Sequence, residues 1–531
     1  MIPHSSQSNE RQAAVPGRLS GMGRNSNKKT AQEKTQEEGN RKMTNATSNT
    51  STNNNSTAAR KATAARKSTS WPVAIDETTF PDDLFRTYVI ENISGKDGDP
   101  ATLTKEEADA VTTIDVSGYT GSPAASTEAN ESTDGEGKGN ESNTGKDEDE
   151  DGLITSLKGI EYFANLAELN ASHNQLTELD MSCNKRLTKL SADHNNLTKL
   201  TVIRNTQLEW LDVSHNQLSR LTVTHNTQLT HLDASYNRLR NLNTSRNPQL
   251  DQLDAFTNRL LKLDVSHNRE LTHLDASSNQ LTELDVSNNT QLKWLYAGRN
   301  KLTDIDVSHN TQLTHLNVGD NKLTDIDVSH NTQLDTLDAS YNKLAELDVS
   351  HNTQLDTLDV RSNQLTDIDV SHNRELTDLD VSSNQLTDID VASNPQLNFL
   401  AVSNNRLTKL DVSHNTELYF LSVSNNRLTD IDVSHNTQLG TLDVESNKLT
   451  DIDVSHNPQL TDLNVGYNWL LNLDVTHNTQ LTDLDVYGDE LYELDVTHNT
   501  ELTHLDISNT TYKLEDIDVS HNKKLTDFIS A

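Results

Sequence analysis

Histidine, aspartate and serine are the residues of this sequence best suited to chemistry, and they recur together in the tetrapeptide Asp-Val-Ser-His. A serine activated by histidine and aspartate is a hydrolytic nucleophile, and histidines with a carboxylate are ligands of Zn²⁺. Either site needs one unique set of converging groups, whereas these residues recur at a fixed spacing without any other catalytic motif. The sequence therefore predicts no catalysis, no cofactor and no metal site, and assigns most of the histidines to a hydrogen-bonded surface ladder.

The elements that position these residues follow from a repeat of 21 residues. From Asn174 to Asn478 an asparagine recurs at steps that alternate between ten and eleven residues. Asp489 then takes the asparagine place once, and two extra residues near 510 shift the pattern, which resumes at Asn522. Each asparagine ends a half-unit of nine places, which has apolar residues at places one, four and six, as in 292–300 and 302–310. We call a half-unit the A half when Asn-x-Leu ends it, as at 292–300, and we call the alternating half-unit the B half.

A coil of 21 residues has room for two short extended segments and their turns, but not for a helix of several turns. Its Asp, Asn, Ser, Thr and Val residues also disfavour a helix. Stacked coils would bring equivalent residues to about 4.8 Å from one another, as parallel strands around a narrow apolar column. The place-nine asparagine is expected to be structural, because its amide can both donate to and accept from inward-facing backbone groups.

Two adjacent segments carry a family resemblance. "LTHLDASSNQL" at 271–281 matches the leucine-rich repeat core LxxLxLxxNxL, and "LTELDVSNN" at 281–289 nearly repeats it. The chain thus resembles bacterial leucine-rich repeat proteins of the nested 21-residue (IRREKO) class and is internalin-like in general architecture. The resemblance implies a β-rich solenoid of about 17 coils, with the A halves forming its concave sheet. It also implies a binding protein, often located at a cell surface.

Changes in composition divide the chain into four segments. Helical spacing and helix-start signals at 80–93 and 103–111 predict two short helices ahead of the repeats. Charged and polar low-complexity sequence on either side of them predicts disorder or a solvated linker. The predicted segments are a disordered basic Ser/Thr/Asn-rich segment (1–70), a small helical N-terminal cap (71–121), an acidic low-complexity linker (122–151) and the leucine-rich repeat solenoid (152–531).

The charge distribution argues against several classes of partner. Residues 1–70 carry twelve Lys or Arg and four Glu, so with a total of −36 the rest of the chain holds a net charge of about −44. Such a body repels nucleic acid and anionic membrane surfaces. No apolar run reaches the length of a membrane helix, no secretory signal peptide or anchor is visible, and the single cysteine, Cys183, cannot form an intrachain disulfide.

The A halves vary in sequence, whereas many B halves are identical. "LTDIDVSHN" occurs five times among the B halves, and no two A halves between 208 and 489 are the same. Place three of the A half points out of the sheet and collects aromatic and imidazole groups, although aromatic residues are only 4% of the chain. Such aromatics are typical of recognition surfaces, although stacking between neighbouring strands would also favour them. The predicted ligand-binding residues are Trp210, His231, His273, Trp294, Tyr296, Arg299, His315, Phe399, Tyr419 and Phe420.

Place five of the B half is Asp in twelve successive coils, from Asp264 to Asp495. Carboxylates in a column repel one another, and a cation such as Ca²⁺ would relieve that repulsion. Because one Asp per coil is a sparse set of ligands, a solvated acidic face is favoured over a cation-binding array.

Together these features predict a non-enzymatic, monomeric binding protein. Its concave face would recognise a protein, or alternatively a glycan, with no nucleic acid bound and no membrane insertion. By resemblance it would be an adhesin-like protein, secreted or located at the bacterial surface. The alternatives are a translocated effector with a leucine-rich repeat recognition domain, a cytoplasmic location, and a cation-binding structural array at the surface.

Overall fold

The computed structural model describes residues 69–121, 152–510 and 517–530, which belong to one compact unit. The predictions of a disordered basic segment and of an acidic linker concern residues that lie outside the described ranges, apart from the last two residues of the basic segment. The domain boundaries proposed from composition therefore stay predictions.

The region before the repeats contains the two predicted helices and a small pair of antiparallel strands. Strands β1 (Val73–Ala74) and β2 (Thr102–Leu103) pair antiparallel around helix α1 (Asp83–Asn92), and helix α2 (Lys105–Ala110) follows. The carboxylate of Asp82 caps α1 by accepting a hydrogen bond from the Phe85 N–H at 3.0 Å. A capping box formed by Thr104 and Glu107 starts α2.

A single long parallel sheet follows from the A halves. Its strands have three residues each, and most of them pair with the equivalent residues 21 positions further on, as Trp294 pairs with His315. The strands of this sheet in order are β3 Thr113–Asp115, β4 Glu168–Asn170, β6 Lys189–Ser191, β8 Trp210–Asp212, β9 His231–Asp233, β10 Gln252–Asp254, β11 His273–Asp275, β12 Trp294–Tyr296, β13 His315–Asn317, β14 Thr336–Asp338, β15 Thr357–Asp359, β16 Asp378–Asp380, β17 Phe399–Ala401, β18 Phe420–Ser422, β19 Thr441–Asp443, β20 Asp462–Asn464, β21 Asp483–Asp485, β22 His504–Asp506 and β23 Asp527–Ile529.

The B halves contribute little to backbone pairing. Two of them form strands, β5 (Glu178–Asp180) and β7 (Lys199–Thr201), which pair in parallel, and a single bridge joins Asn243 to Asp264. A short 3-10 helix at Ile160–Tyr162 precedes the first full coil. The described part of the chain is therefore a parallel β-solenoid of about 17 turns whose continuous sheet lies on the A side, and the predicted fold class is confirmed.

The apolar residues at places one, four and six point into the core in both halves of each coil. In the B half at 302–310, Leu302 and Val307 are fully buried and Ile305 is nearly so, and the same places are buried from coil to coil. In each A strand the middle residue is a buried leucine in nearly every coil, and its neighbours face outward. The core is therefore one narrow column of Leu, Ile, Val and Ala side chains.

The place-nine asparagines tie each coil to earlier coils, as expected, but they do so differently in the two halves. In the A half, Asn321 accepts from the Leu302 N–H at 2.9 Å and donates to the Ala297 carbonyl at 3.0 Å. In the B half, Asn331 donates to the carbonyls of Val307 and Asn310 at 3.0 and 2.8 Å. Its buried Oδ1 has no hydrogen-bond partner among the described residues, and most B-half asparagines share this condition.

One B-half asparagine is an exception, and its surroundings explain how the acceptor can be satisfied. Place six of the preceding B half is Thr244 instead of valine, and its hydroxyl donates to Asn268 Oδ1 at 2.8 Å. A hydroxyl at place six of a B half therefore reaches the carbonyl oxygen of the asparagine 24 residues later.

This geometry predicts that Val307→Thr is tolerated, because the new hydroxyl would donate to the unpaired Oδ1 of Asn331. The matched control is Val318→Thr in an A half, where Asn342 Oδ1 already accepts from the Leu323 N–H at 2.9 Å. We expect the control to lose about 1–3 kcal/mol of stability for an unpaired buried hydroxyl and Val307→Thr to lose less than half of that.

Urea denaturation of the two variants and the wild type, followed by circular dichroism, measures the difference. An equal loss of stability in both variants would contradict the proposed role of the Thr244 hydroxyl.

Candidate functional site: the outward face of the parallel sheet

Eight of the ten predicted ligand-binding residues lie on the outward side of the long sheet, and the other two, Tyr419 and Arg299, lie beside it. We define the A face as the outward side of this sheet, formed by the first and third residue of each A-half strand (places three and five). Seven of the predicted residues are the first residues of their strands, namely Trp210, His231, His273, Trp294, His315, Phe399 and Phe420. Tyr296 ends β12, Tyr419 immediately precedes β18, and Arg299 lies in the turn after β12.

The aromatic groups of the A face form three separate clusters. Trp210 stacks on His231 with their ring centroids 4.5 Å apart. Around Trp294 the rings lie further apart, with the ring centroids of His273 and His315 at 6.1 and 6.2 Å from that of Trp294. The third cluster is the parallel stack of Phe399 on Phe420 at 4.4 Å. The coils between the clusters carry Gln252, Thr336, Thr357 and Asp378 at place three.

Tyr419 precedes β18, and the next coil provides room for its ring. The side chain is 49% exposed. A Cβ atom on Gly440 would lie 2.3 Å from the nearest Tyr419 ring atom, so the ring lies directly over this glycine. Only glycine at position 440 permits this placement of the tyrosine.

The residue after the leucine of each A strand forms a second column, which sequence reasoning missed. Place five of the A half holds half-buried or buried carboxylates at positions 212, 233, 254, 275, 338, 359, 380, 443, 485 and 506. One of these carboxylates already contacts a predicted binding residue, since His273 Nε2 lies 3.1 Å from Asp254 Oδ1. Burial alone would lower the pKa of His273, but the hydrogen bond and charge of Asp254 outweigh it and raise that pKa.

Burial raises the pKa of five carboxyl groups in this column, namely Asp212, Asp233, Asp275, Asp359 and Asp485. Burial raises the pKa of Asp233 to about 6, although the Ser235 hydroxyl and N–H donate to it, and the charges of Asp212 and Asp254 add to the rise. Burial likewise raises the pKa of Asp359 to about 7, despite the nearby Arg361 guanidinium. The A face thus combines aromatic clusters with closely spaced carboxyl groups whose ionisation a cationic partner would favour.

The Asp residues at place five of the B half make the same local hydrogen bonds as those at place five of the A half, but the pKa shifts of Asp306 and Asp233 have opposite directions. Asp306 Oδ1 accepts from the Ser308 N–H at 2.9 Å, as Asp233 Oδ1 accepts from the Ser235 N–H at 2.8 Å. Because Asp306 is exposed, the hydrogen bonds from Ser308 lower its pKa. These carboxylates accept hydrogen bonds from the serine two residues later, and each therefore stabilises its own Asp-x-Ser turn.

The B-half histidines also bond within their own coil. His309 Nδ1 lies 3.1 Å from Ser308 Oγ, and the exposed histidines at this place in later coils repeat the contact. The hydrogen-bonded ladder expected from the sequence therefore consists of separate contacts, each made inside one turn.

Place eight of the A half has an unusual backbone that the sequence did not reveal. From His173 to Asn509 every residue at this place has a positive φ of about 50°, apart from a glycine with φ 74° at 488. Arg299 is one of them, with φ 54°. Glycine adopts this left-handed conformation freely, whereas other residues lose about 1 kcal/mol or more.

Comparisons with known proteins agree with the geometry. A family model of two leucine-rich repeats matches residues 290–330, and a model of a single leucine-rich repeat matches residues 372–393. The functional domain of InlJ from Listeria monocytogenes is 31% identical, with 81% of this chain and 78% of that chain covered and a TM-score of 0.57.

Two further solved structures share the fold. An internalin of Listeria monocytogenes, InlF, is 24% identical, with 72% of this chain and 98% of that chain covered and a TM-score of 0.52. The plant peptide hormone receptor RGFR1, in complex with RGF2, is 20% identical, with 70% and 75% covered and a TM-score of 0.53. No curated protein matches the sequence. None of the helices in the described part of the chain has the length and apolar character that a membrane span requires.

The raised pKa of Asp233 predicts a stability that depends on pH. A folded-state pKa of about 6, above the ordinary value of 3.8, gives a contribution that is complete below about pH 4 and lost as the pH rises through 6. Asp233→Asn, which keeps the acceptor for Ser235, should therefore gain about 1–2 kcal/mol at pH 8, after allowance for solvent screening, and almost nothing at pH 4.

Denaturation curves at both pH values test this expectation. The control is Asp306→Asn, whose carboxylate is stabilised in its ionised form and which should gain nothing at pH 8. A gain at pH 8 that is the same for both variants would mean that general charge reduction, and not the burial of Asp233, is responsible.

The positive φ at place eight predicts opposite effects of glycine in the two halves. Ser383 occupies place eight of an A half with φ 54°, and Ser393 occupies place eight of the following B half, which is not among the positive-φ positions. Ser383→Gly should be neutral or stabilising, whereas Ser393→Gly should lose about 0.5–1 kcal/mol of stability through backbone entropy. Thermal denaturation measures the difference, and a loss in Ser383→Gly as large as in Ser393→Gly would disprove the argument.

Proposed function

Because the chain belongs to the internalin-like leucine-rich repeat proteins of bacteria, we propose that it is a non-enzymatic binding protein whose A face recognises a protein ligand. The observation that carries this proposal is the aromatic groups at place three of the hydrogen-bonded sheet, because place three of every B half holds a charged residue or asparagine instead. In the B halves, which have the same pattern of apolar places, the Asp, Ser and His groups at places five, seven and eight mostly make hydrogen bonds inside their own turns, as Asp306, Ser308 and His309 do.

The A-face aromatics have the properties of binding anchors. Trp210 on the A face is 38% exposed, and Tyr419, which lies beside it at place two, is 49% exposed, so a partner can contact both. The strands are held in register on each side by parallel pairing, so these side chains lose little conformational freedom when a ligand binds. Three clusters spaced along the sheet suit a ligand that spans several coils, as an extended peptide or a protein surface does.

The charge of the A face indicates the kind of protein partner. Half-buried carboxylates at place five lie beside the aromatic clusters, and the pKa values of several are raised because they are buried next to one another. A Lys or Arg side chain of a ligand would stabilise their ionised forms. A basic segment with apolar anchors therefore complements this surface better than an acidic one.

A protein ligand is favoured over a glycan. The solved plant receptor that shares this fold is described as a peptide hormone receptor in complex with its hormone, which is an example of a peptide bound by a leucine-rich repeat protein. We also propose, from the family alone, that the protein acts at the bacterial surface or after secretion.

Stacking for stability is the competing role for the aromatic groups. The parallel stack of Phe399 and Phe420 at 4.4 Å would stabilise neighbouring strands by about 0.5–1.5 kcal/mol without any ligand. This role predicts that loss of the rings lowers stability and leaves ligand affinity unchanged, so the two roles are separable by experiment.

The experiment selects ligands for the full-length protein from a phage-displayed library of random peptides, with a glycan array as a parallel arm. The test variant is Trp294→Thr with Phe420→Thr, since threonine occupies place three naturally at Thr336, Thr357 and Thr441. We expect selected peptides to be rich in Lys, Arg and apolar residues and to bind this variant at least about tenfold more weakly.

The matched control is Asp304→Thr with Asp430→Thr, which makes the same replacement at place three of two B halves. This control should bind the selected peptides as the wild type does. Peptides whose affinity depends on the B-half variant and not on the A-face variant would refute the proposal. If the glycan array gives binding and no peptide is selected, the ligand is a glycan and the proposal of a protein ligand is wrong.

A further inference from the structure

A group of histidines outside the proposed recognition clusters lies at one edge of the sheet, in its first coils. The turns that follow β4, β6 and β8 each carry histidine at place eight, namely His173, His194 and His215. Their rings stack with centroids 4.4 and 4.1 Å apart. Because all three turns share the same left-handed backbone, the three side chains leave the edge of the sheet in the same direction.

A carboxylate joins two of these histidines. Asp193 occupies place seven, where most A halves have serine or glycine. Its Oδ2 atom lies 3.0 Å from His194 Nδ1 and 3.8 Å from His173 Nε2. The Ser172 hydroxyl donates a hydrogen bond to the other oxygen, Oδ1, and so fixes the orientation of the carboxylate.

We propose that His173, Asp193 and His194 form a Zn²⁺ site that bridges two adjacent coils. Ligand atoms of the three side chains lie within 4.8 Å of one another, and this is the one such group of His, Cys, Asp and Glu in the described part of the chain. Ligands about 2.0–2.2 Å from a tetrahedral ion lie about 3.4 Å apart, which falls between the two distances measured from Asp193.

The donor set and its exposure define the chemistry of the site. Two imidazoles and one carboxylate suit Zn²⁺ and related late first-row ions, whereas Ca²⁺ prefers six or more oxygen ligands. The imidazoles are 63% and 46% exposed while Asp193 is only 16% exposed, so the carboxylate is the fixed ligand and the rings can turn towards an ion. The fourth coordination position would face solvent, and water or a side chain of a partner could fill it.

The other histidines of the chain provide an internal comparison. The B-half histidines are more numerous, but each one contacts the hydroxyl of its own turn, as His330 Nδ1 does with Ser329 Oγ at 3.1 Å. They therefore offer single, separate ligands. The site at His173, Asp193 and His194 goes against the sequence-based expectation of no metal, because three residues from two turns meet only after the coils stack.

Isothermal titration of the full-length protein with Zn²⁺ tests the site. The variant Asp193→Ser restores the residue found at this place in most coils, and His194→Asn introduces a residue that occurs naturally at the same left-handed place in Asn404 and Asn425. We expect the wild type to bind one Zn²⁺ with an affinity at least about tenfold above that of either variant. His330→Asn is the matched control and should bind this Zn²⁺ as the wild type does.

Two further readouts keep the proposal open to refutation. Co²⁺ bound at the site should give the visible absorption of a tetrahedral ion in the wild type and in His330→Asn but not in Asp193→Ser, and excess Ca²⁺ should not displace it. Zn²⁺ should raise the midpoint of thermal unfolding of the wild type more than that of Asp193→Ser. Equal Zn²⁺ affinity in the wild type and Asp193→Ser, or displacement by Ca²⁺, would overturn the proposal.

Discussion

Buried asparagine amides connect each coil of this protein to the coils before it, and the rest of the structure depends on that connection. The 21-residue coil turns too tightly for its inward backbone groups to reach water, so a side chain must supply their hydrogen bonds. In the A half the asparagine both donates and accepts, as Asn321 does with Ala297 and Leu302. In most B halves it only donates, as Asn331 does, and among the described residues the backbone pairing of the B halves does not continue beyond the early coils.

This difference between the halves gives the molecule two unlike surfaces. Backbone pairing on the A side holds each strand at a fixed register, so its outward side chains stack, as Trp210 does on His231. The same close approach half-buries the place-five carboxylates and raises the pKa of Asp233. On the B side the Asp and His side chains at places five and eight stay exposed and mostly form hydrogen bonds within their own turns, as Asp306 and His309 do. A rigid face with variable side chains and a uniform opposite face suits a family of binding proteins.

The turns at the edge of the sheet form a third surface, whose place-eight residues share a left-handed backbone conformation. The left-handed place eight tilts each side chain outward in the same way, whether it is His194, Tyr236 or Arg299. Neighbouring turns therefore place equivalent side chains in contact, as His215 and Tyr236 stack at 4.0 Å. Substitution at this place alters surface chemistry while the coil itself is preserved, which is why one stretch of the edge can hold an imidazole and carboxylate cluster.

The sequence by itself determined the period, the inward places, the helices at the start of the repeat region and the side of the sheet that varies. These follow from local rules, since the leucine spacing and the asparagine position are the same in nearly every coil. The resemblance to leucine-rich repeat proteins correctly placed the sheet on the A halves. The sequence did not determine the left-handed turns or the meeting of Asp193 with two histidines, because the latter depends on contacts between residues about 20 positions apart. The Asp-x-Ser turn shows the limit most clearly. Asp233 and Asp306 have the same local bonds, yet only the stacking of the coils buries the first, and burial in a low dielectric reverses the direction of its pKa shift.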